Sequence, residues 1–350
     1  MKTSIRGLNR RGFLGLGLLM ASAMTVAVPE YAAAADKLDD IIAAAKKEGH
    51  VVWYDSLPRN QGEAILAEFH KAYPFIKADY LEVPGAEKVA RITQESMAGG
   101  PTADVTLDGA AAAMRQQEQG FLLPVDWKGL GIDLSPQRTP NEYLIAITAP
   151  LFGVLYNTNK VKPNDVPKTY AELVDPKWQG RIGTWARANG FATMLAAWGE
   201  DKTTDYVKKL AALHPRLYRS TYSIAESIGA GEIDLAFTIY HTAVPTMEKG
   251  APVKWQWLEP IPVTPLYGYL LKEGRNHAAG KLLLMWLGSA KGAIVYEQVS
   301  SRGNPFVPET KTAKMLAGKK ISMFDAQTEV KKADWVNKLE TKFGHILQGR

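Results

Sequence analysis

The sequence contains no cysteine, and several common catalytic motifs are also missing from it. Without cysteine the chain forms no disulfide and has no thiol chemistry, so its stability has to come from packing. The six histidines show no HExxH spacing, and the chain has no G-x-S-x-G elbow, no Walker loop and no GxGxxG after a predicted strand. A pair of catalytic carboxylates stays open, because aspartate and glutamate occur throughout the chain. We therefore expect a protein that binds rather than an enzyme.

Beyond the first 35 residues the sequence also lacks an apolar run long enough to cross a bilayer. Its composition, 46% apolar and 22% charged, is typical of a globular protein, and 350 residues suggest two domains. Removing residues 1–35 takes away four basic residues and one acid, which lowers the formal charge from +6 to +3. So small an excess gives no reason to expect a nucleic-acid partner.

The first 35 residues have the three parts of a secretory signal peptide. Four basic residues between Lys2 and Arg11 precede an apolar segment over residues 12–28, and a run of small alanines ends at Ala35. This order predicts export, followed by cleavage between Ala35 and Asp36. Residues 1–35 are therefore left out of the predicted fold.

The signal also resembles the twin-arginine type. Arg10 and Arg11 are followed, after one residue, by Phe13 and Leu14, while Asn9 stands where a serine or threonine is usual. Such a signal is read by a receptor and implies export of a folded protein. The alternative is a general secretory signal with a chance arginine pair, and both lead to the periplasm.

The rest of the chain alternates predicted strands and helices, which indicates βαβ units and a mostly parallel α/β fold. Two long apolar stretches, residues 145–157 and 253–271, are rich in residues that favour extended structure. We interpret them as two crossovers between lobe 1 (residues 36–150 and 264–308) and lobe 2 (residues 151–263). Residues 309–350 are predicted to form a helical tail that packs on the lobes. Two crossovers make a hinge, and the cleft beside it is a preferred place for a small ligand.

Four segments of the chain carry a family resemblance. They are GVLYNTNKV at residues 153–161, PKWQGRIG at 176–183, GEID at 231–234 and the helical segment 276–298. In this order they resemble the periplasmic extracellular solute-binding proteins of ABC importers. The resemblance implies a two-lobe binding-protein fold of type II and capture of a small polar or anionic solute. It also implies partners in the inner membrane, a permease and its ATPase, with no cofactor and a monomeric protein.

Within that family the chain is most similar to the ferric-iron-binding subgroup, whose members commonly hold Fe(III) with two adjacent tyrosines after the GEID-like strand. This chain has Tyr240, His241 and Thr242 at that place. Fe(III) favours phenolate and carboxylate oxygens, so a missing tyrosine removes a strong ligand. Iron bound by Tyr156, Tyr240 and His241 is therefore kept as the alternative to a small polar or anionic solute.

In lobe 1 the candidate ligand-binding residues lie at predicted strand ends, where open α/β sheets bind their ligands. Tyr54 and Ser56 follow the first strand, and Asp108 follows the third. Asp108 has an alternative role as the cap of the following helix. On the two crossovers, Tyr156 and Tyr267 are candidates for the cleft wall, and packing against the sheet is the alternative for Tyr156.

In lobe 2 the candidates follow two further strand ends. Trp185 is predicted to stack on the solute and Arg187 to clamp an anionic group with two parallel hydrogen bonds, and Asn189 is a further candidate at the same strand end. Tyr240 and His241 follow the GEID-like strand, where the family binds its ligand. Solvent exposure is the alternative for Arg187 and His241.

Overall fold

The computed structural model describes residues 37–83, 85–132, 135 and 137–350. The predicted signal peptide, its twin-arginine motif and the cut after Ala35 lie outside these residues and stay predictions. Up to the first crossover, the elements are α1 (Leu38–Glu48), β1 (His50–Asp55), α2 (Arg59–Ala72), β2 (Lys77–Glu82), α3 (Gly85–Met97), β3 (Val105–Asp108), α4 (Ala110–Glu118), β4 (Leu122–Leu123) and β5 (Ile145–Thr148).

The chain then forms a second series of elements before it returns to the first. These are β6 (Phe152–Asn157), α5 (Tyr170–Leu173), β7 (Ile182–Trp185), α6 (Asn189–Ala212), β8 (Arg216–Tyr218), α7 (Thr221–Gly229), β9 (Leu235–Ile239), α8 (Tyr240–Glu248), β10 (Val253–Gln256) and β11 (Ile261–Pro262). The last part contains β12 (Leu266–Leu271), α9 (His277–Gly288), α10 (Ala290–Ser300), α11 (Lys311–Leu316), β13 (Ile321–Ser322), α12 (Ala326–Lys331) and α13 (Ala333–Leu347).

The strands form two separate large sheets, one in each predicted lobe. The first sheet has the order β2-β1-β3-β12-β4, with β5 also paired to β12, and the second has the order β10-β6-β9-β7-β8. Strands β1, β2 and β3 run parallel, as do β7, β8 and β9, while β12 and β6 are antiparallel to their neighbours. The α/β class with two lobes and two crossovers is therefore confirmed. The lobe boundaries in the sequence stay a prediction, although the strands on either side of each belong to different sheets.

Alternating side chains let both faces of each sheet build a core. In β1, Trp53 packs with Phe69 and Trp286 on one face, while Tyr54 belongs to the cluster of Ile92 and Tyr269 on the other. The sheet of lobe 2 is covered in the same way, with separate apolar clusters on its two faces. Helices cover both faces of each sheet, so the strand ends are left as the place where polar side chains gather.

The C-terminal tail is not purely helical, because β13 pairs in parallel with β11 at the hinge. Beyond it, α12 contacts α4 of lobe 1, and α13 lies along α6 of lobe 2. The predicted final helix is present as α13, whose Leu339, Phe343 and Leu347 are buried in the core of lobe 2. The tail thus touches both lobes.

Among the described residues, no single helix is both long and apolar enough to span a membrane. Helices α9 and α10 meet that requirement only when taken together, and they are bent by 75° at their junction. Both α9 and α10 also bury apolar residues against the protein's own core, including Leu283 and Tyr296.

A buried lysine joins the carboxyl ends of two neighbouring strands in lobe 1. Lys88 Nζ lies 3.5 Å from Asp55 Oδ1 and 3.3 Å from Asp108 Oδ2, and it donates to the carbonyl of Leu107. The side chains of Lys88 and Asp55 are 2% and 1% exposed, and that of Asp108 is 14% exposed. The hydroxyl of Tyr296 donates to Asp55 Oδ2 at 3.2 Å. This network fixes the floor of the cleft on the side of lobe 1.

Replacing Lys88 with methionine is expected to destabilise the protein by about 3–5 kcal/mol, since two buried carboxylates would lose their cation. Urea unfolding at pH 7 measures the change. The matched control is Lys71→Met, which removes a lysine that is 67% exposed and paired only at the surface, and it should cost less than about 1 kcal/mol. Equal stability of the two variants would contradict the structural role of Lys88.

Candidate functional site

A cleft of about 570 Å³ opens between the two lobes at the ends of their strands. Residues from both lobes, the hinge and the tail line it. Its polar side chains include Ser56, Asp108 and Arg115 from lobe 1, Trp185, Arg187, Asn189, Thr221, His241 and Thr242 from lobe 2, Thr264 and Arg302 near the hinge, and Glu329, Asn337 and Glu340 from the tail. Six of the ten residues predicted from the sequence are in this set: Ser56, Asp108, Trp185, Arg187, Asn189 and His241.

His241, which is buried, and Arg302, which is partly buried, form a hydrogen-bonded pair that lines this cleft. Arg302 Nε donates a hydrogen bond to His241 Nε2 at 3.0 Å, so that ring nitrogen carries the lone pair and the proton resides on Nδ1. His241 is 6% exposed, and its Nδ1 has no hydrogen-bond partner among the described residues. Burial lowers the pKa of His241 well below its usual range, and the charge of Arg302 acts in the same direction. The alternative of an exposed His241 is wrong, and the ring presents a neutral N–H donor.

Asp108 lines the cleft, but its carboxylate is already engaged. Lys88 lies 3.3 Å from Oδ2, and the hydroxyl of Tyr269 lies 3.4 Å from the same oxygen. Burial raises the pKa of Asp108, which Lys88 opposes. The alternative role of helix cap is wrong, because the N-cap of α4 is Gly109 and no capping side chain accepts a hydrogen bond from the first turn. The backbone at the start of α4 is therefore open to another acceptor.

Lobe 2 contributes three predicted residues that lie together. The guanidinium of Arg187 stands 5.3 Å from the ring centroid of Trp185. Arg187 Nε and Asn189 Nδ2 reach the two oxygens of Glu340, at 3.4 Å and 3.3 Å. The pair of donors predicted to hold an anionic group thus faces a carboxylate of the protein's own tail.

A second tail carboxylate, that of Glu329, lies at the start of α4. The backbone N–H of Ala110 bonds to it, and a Cβ built on Gly109 would lie 4.0 Å from Oε1. Burial raises the pKa of Glu329 from its ordinary 4.5 to about 7, and the bond from Ala110 offsets only part of this. Glu329 is thus a carboxylate with little compensation for its charge.

Tyr240 lies outside the cleft, although its neighbour in the sequence lines it. Its ring packs 5.2 Å from the centroids of both Trp255 and Trp257. Tyr240 and His241 are the first two residues of α8, and consecutive side chains on a helix point about 100° apart. Only one of the two therefore faces the cleft, and it is His241.

The other three predicted tyrosines also pack elsewhere. Tyr54 lies in a core cluster with the guanidinium of Arg91 5.0 Å from its ring centroid, and Tyr267 is 1% exposed. Tyr156 packs partly buried against the core of lobe 2, which was its alternative role. The structure therefore does not bring Tyr54, Tyr156, Tyr240 or Tyr267 to the cleft.

The three residues of the alternative iron site are not gathered in one place. The ladder between β6 and β9 runs from the pair Phe152–Ile239 to the pair Tyr156–Leu235. Tyr156 is thus at the far end of the ladder from Tyr240, roughly 13 Å along the strand. Within the part of the chain that the structure describes, no group of three histidine, aspartate or glutamate side chains is arranged to hold a metal ion.

The residues at or below the cleft that were not predicted from the sequence include four charged ones. Lys88 lies within a helix, Arg302 follows α10, and Glu329 and Glu340 come from the tail. Each reaches the site through tertiary packing, and none follows a strand of the parallel sheets. The Gly, Asn and Pro that follow Arg302 in the sequence favour a turn, but a turn by itself does not indicate a site.

Comparisons with known proteins bear on the family and on the fold. The sequence profile of a family described as bacterial extracellular solute-binding proteins matches residues 100–326. Iron uptake protein A1 of Synechocystis sp. is 30% identical over 249 residues, which cover 67% of this chain and 67% of that protein.

Solved structures show the same fold at lower sequence identity. Iron-bound HitA from Pseudomonas aeruginosa superposes with a TM-score of 0.71 at 20% identity, covering 84% of this chain and 99% of that one. AfuA from Actinobacillus pleuropneumoniae, solved with fructose-6-phosphate, gives a TM-score of 0.68 at 21% identity, covering 86% of this chain and 99% of that one.

The raised pKa of Glu329 predicts a pH-dependent stability. Between about pH 4.5 and pH 7, the carboxyl group of Glu329 binds its proton more tightly in the folded protein than in the unfolded chain. The contribution of Glu329 to the free energy of unfolding therefore falls as the pH rises through this window, by up to about 3 kcal/mol.

A Glu329→Gln variant should remove this dependence and melt at a higher temperature than the wild type at pH 8, but not at pH 4.5. Melting curves of both proteins from pH 4.5 to pH 8 provide the measurement, because other titrating groups cancel in the difference. A difference in melting temperature that stays constant with pH would show that Glu329 titrates normally.

Proposed function

Because this chain belongs to the bacterial extracellular solute-binding proteins, we propose that its solute is a small anion with phosphate or carboxylate oxygens. The family makes it the solute-binding protein of an ABC transporter, working outside the cytoplasm with a permease and an ATPase. The solute is expected to bind in the cleft between the lobes and to leave chemically unchanged. The protein would act as a monomer, exported by its twin-arginine signal and cleaved near Ala35.

The observation that carries this proposal is the set of unpaired donors in the cleft. His241 offers a buried Nδ1–H without a partner, and Arg302 uses only Nε in its bond to the ring. Arg115 also lines the cleft and has no ion pair among the described residues. A buried N–H without an acceptor is costly, and an anionic oxygen would remove that cost through charge-assisted bonds.

The acceptors in the cleft argue against a cationic solute. Asp108 is engaged by Lys88, and Glu340 by Arg187 and Asn189. The remaining tail carboxylate, that of Glu329, accepts a hydrogen bond from the backbone N–H of Ala110. Two of the three carboxylates are thus already paired with donors of the protein, whereas His241 Nδ1 has no partner and Arg302 is bound only through Nε, so the free donors favour an anion.

The hinge geometry supports capture by closure. Leu151 and Val263, one from each crossover, form an antiparallel bridge, and Thr264 N–H donates to the carbonyl of Pro150 at 3.1 Å. Bending of this short paired segment would move one lobe against the other with little change inside either. Closing the lobes would exclude water and strengthen the bonds to the anion.

Ferric iron is the second candidate, and the names of two similar proteins favour it: iron uptake protein A1 and iron-bound HitA. The residues of this cleft support it less well. Tyr240 packs on Trp255 and Trp257, and Tyr156 lies at the other end of β6. Direct binding of Fe(III) by phenolates would require the tyrosines to leave these positions.

A thermal-shift titration with inorganic phosphate, fructose 6-phosphate and citrate tests the anion proposal, because a ligand of the native state raises the melting temperature. Arg302→Gln is expected to weaken the binding of whichever anion stabilises the wild type by roughly 10- to 100-fold, the worth of one charged hydrogen bond. Arg216→Gln is the control, since Arg216 pairs with Glu232 on the surface of lobe 2. Stabilisation by neutral or cationic solutes, with none of the anions active, would refute the proposal.

The iron alternative has its own measurement. Loading the purified protein with ferric citrate should produce no visible absorption band from Tyr156 or Tyr240 bound to iron, because neither of these tyrosines lines the cleft; among the described tyrosines it is Tyr222 that does. A band that Tyr240→Phe abolishes and Tyr54→Phe leaves intact would establish iron as the cargo instead.

A further inference from the structure

The C-terminal tail makes an additional connection between the lobes, across the cleft. Its helix α12 buries Ala326 in a core cluster of lobe 1, with Val330 packed against the same cluster. Its helix α13 buries Leu339 and Phe343 in the core of lobe 2. Lys332, where the two helices meet, therefore marks the point at which the chain passes from one lobe to the other.

The first tail carboxylate lies where α4 would hold an anion. Helix α4 has nine residues, and its N-cap, Gly109, supplies no side chain to the free N–H groups of the first turn. Such a terminus attracts negative charge. Glu329 occupies this position with one backbone donor, that of Ala110.

The second tail carboxylate lies where lobe 2 would hold an anion. Arg187 Nε and Asn189 Nδ2 approach the two oxygens of Glu340 at 3.4 Å and 3.3 Å. These bonds are long for contacts between charged or amide donors and a carboxylate. The side chain of Arg187 is 66% exposed and that of Glu340 is 16% exposed, so neither contact is sealed from water.

Some hydrogen-bond donors in the cleft, those of His241 and Arg302, have no acceptor in the tail. His241 is buried, lines the same cleft and has no partner at Nδ1. The guanidinium of Arg302 beside it is bound only through Nε. The cleft therefore has room and donors for an anion in addition to the places that Glu329 and Glu340 cover.

We propose that Glu329 and Glu340 stand in for two anionic groups of the solute, so that the solute displaces both carboxylates when it binds. This inference rests on the proposed function and narrows it, because a solute that displaces two carboxylates has at least two anionic groups of its own. A dicarboxylate, a tricarboxylate or a bisphosphate has this chemistry. A solute that also reaches His241 and Arg302 makes more bonds than the tail does and therefore wins the competition.

Isothermal titration with citrate, a tricarboxylate, tests the displacement. The proteins are the wild type, Glu329→Gln, Glu340→Gln, the double variant and Asp334→Asn. The last is the matched control, because Asp334 is an exposed acid of the same tail that does not line the cleft. Acetate, with a single carboxylate, is the comparison ligand.

Each single variant is expected to bind citrate several-fold more tightly than the wild type, and the double variant roughly tenfold more tightly. Asp334→Asn should stay within twofold, which separates competition in the cleft from the general loss of negative charge. The affinity for acetate should rise less in the variants than the affinity for citrate, since acetate replaces only one of the two carboxylates. If the glutamates only fastened the tail, the variants would melt earlier and citrate would bind no more tightly.

A double variant that binds citrate no more tightly than Asp334→Asn overturns the inference, whatever the wild type does. Should the wild type and the double variant bind citrate equally, the anion proposal stands and only the displacement fails. Should none of the proteins bind citrate, inorganic phosphate or fructose 6-phosphate, both proposals fall. The single variants keep the test valid if the double variant unfolds.

Discussion

The pairing of backbone segments at the hinge is the constraint on which the site depends. Leu151 of the first crossover pairs with Val263 of the second. The N–H of Val263 in turn donates to the carbonyl of Ser322, in the tail, at 2.9 Å. Three segments that are far apart in the sequence thus run side by side between the lobes. These three paired segments determine how the strand ends of the two sheets face each other. They also fix the position from which the tail crosses the cleft.

The charges in the cleft follow from that arrangement. Each lobe brings one anion-binding feature to its strand ends, the start of α4 in lobe 1 and the pair of Arg187 and Asn189 in lobe 2. The tail brings one carboxylate to each of them. The pair of His241 and Arg302 is left with donors but without an acceptor, and this imbalance is the basis of the proposal that the solute is an anion.

The fold could be predicted from the sequence because the signals for it are local and repeated. Alternation of strands with helices and two long extended stretches are enough to indicate two α/β lobes joined twice. Strand ends could be found in the same way, and Ser56, Asp108, Trp185 and His241 do line one cleft, while their contact with a solute stays a prediction. A parallel sheet brings the ends of its strands together whatever the rest of the chain does.

The predicted tyrosines show what strand ends in the sequence do not reveal, namely which way a side chain points. Tyr240 and His241 are adjacent, and the sequence does not say which of the two faces the cleft until the orientation of α8 is known. Tyr156 lies on a strand whose direction and register place it far from the cleft. Arg302, Glu329 and Glu340 are further examples, because they reach the site only through the packing of α10 and the tail on the lobes, which no pattern of neighbouring residues records.

The two tail helices are held with unequal strength, and this bears on how a solute could enter. Helix α13 buries Leu339, Phe343 and Leu347, and each such side chain contributes about 1.5–3 kcal/mol. Helix α12 has six residues, and its one fully buried apolar side chain is Ala326. Glu329, the tail carboxylate on α12, also has little compensation for its charge, since it accepts one backbone hydrogen bond. Glu329 can therefore leave with its helix at low cost, whereas α13 stays in the core and only the side chain of Glu340 has to turn away.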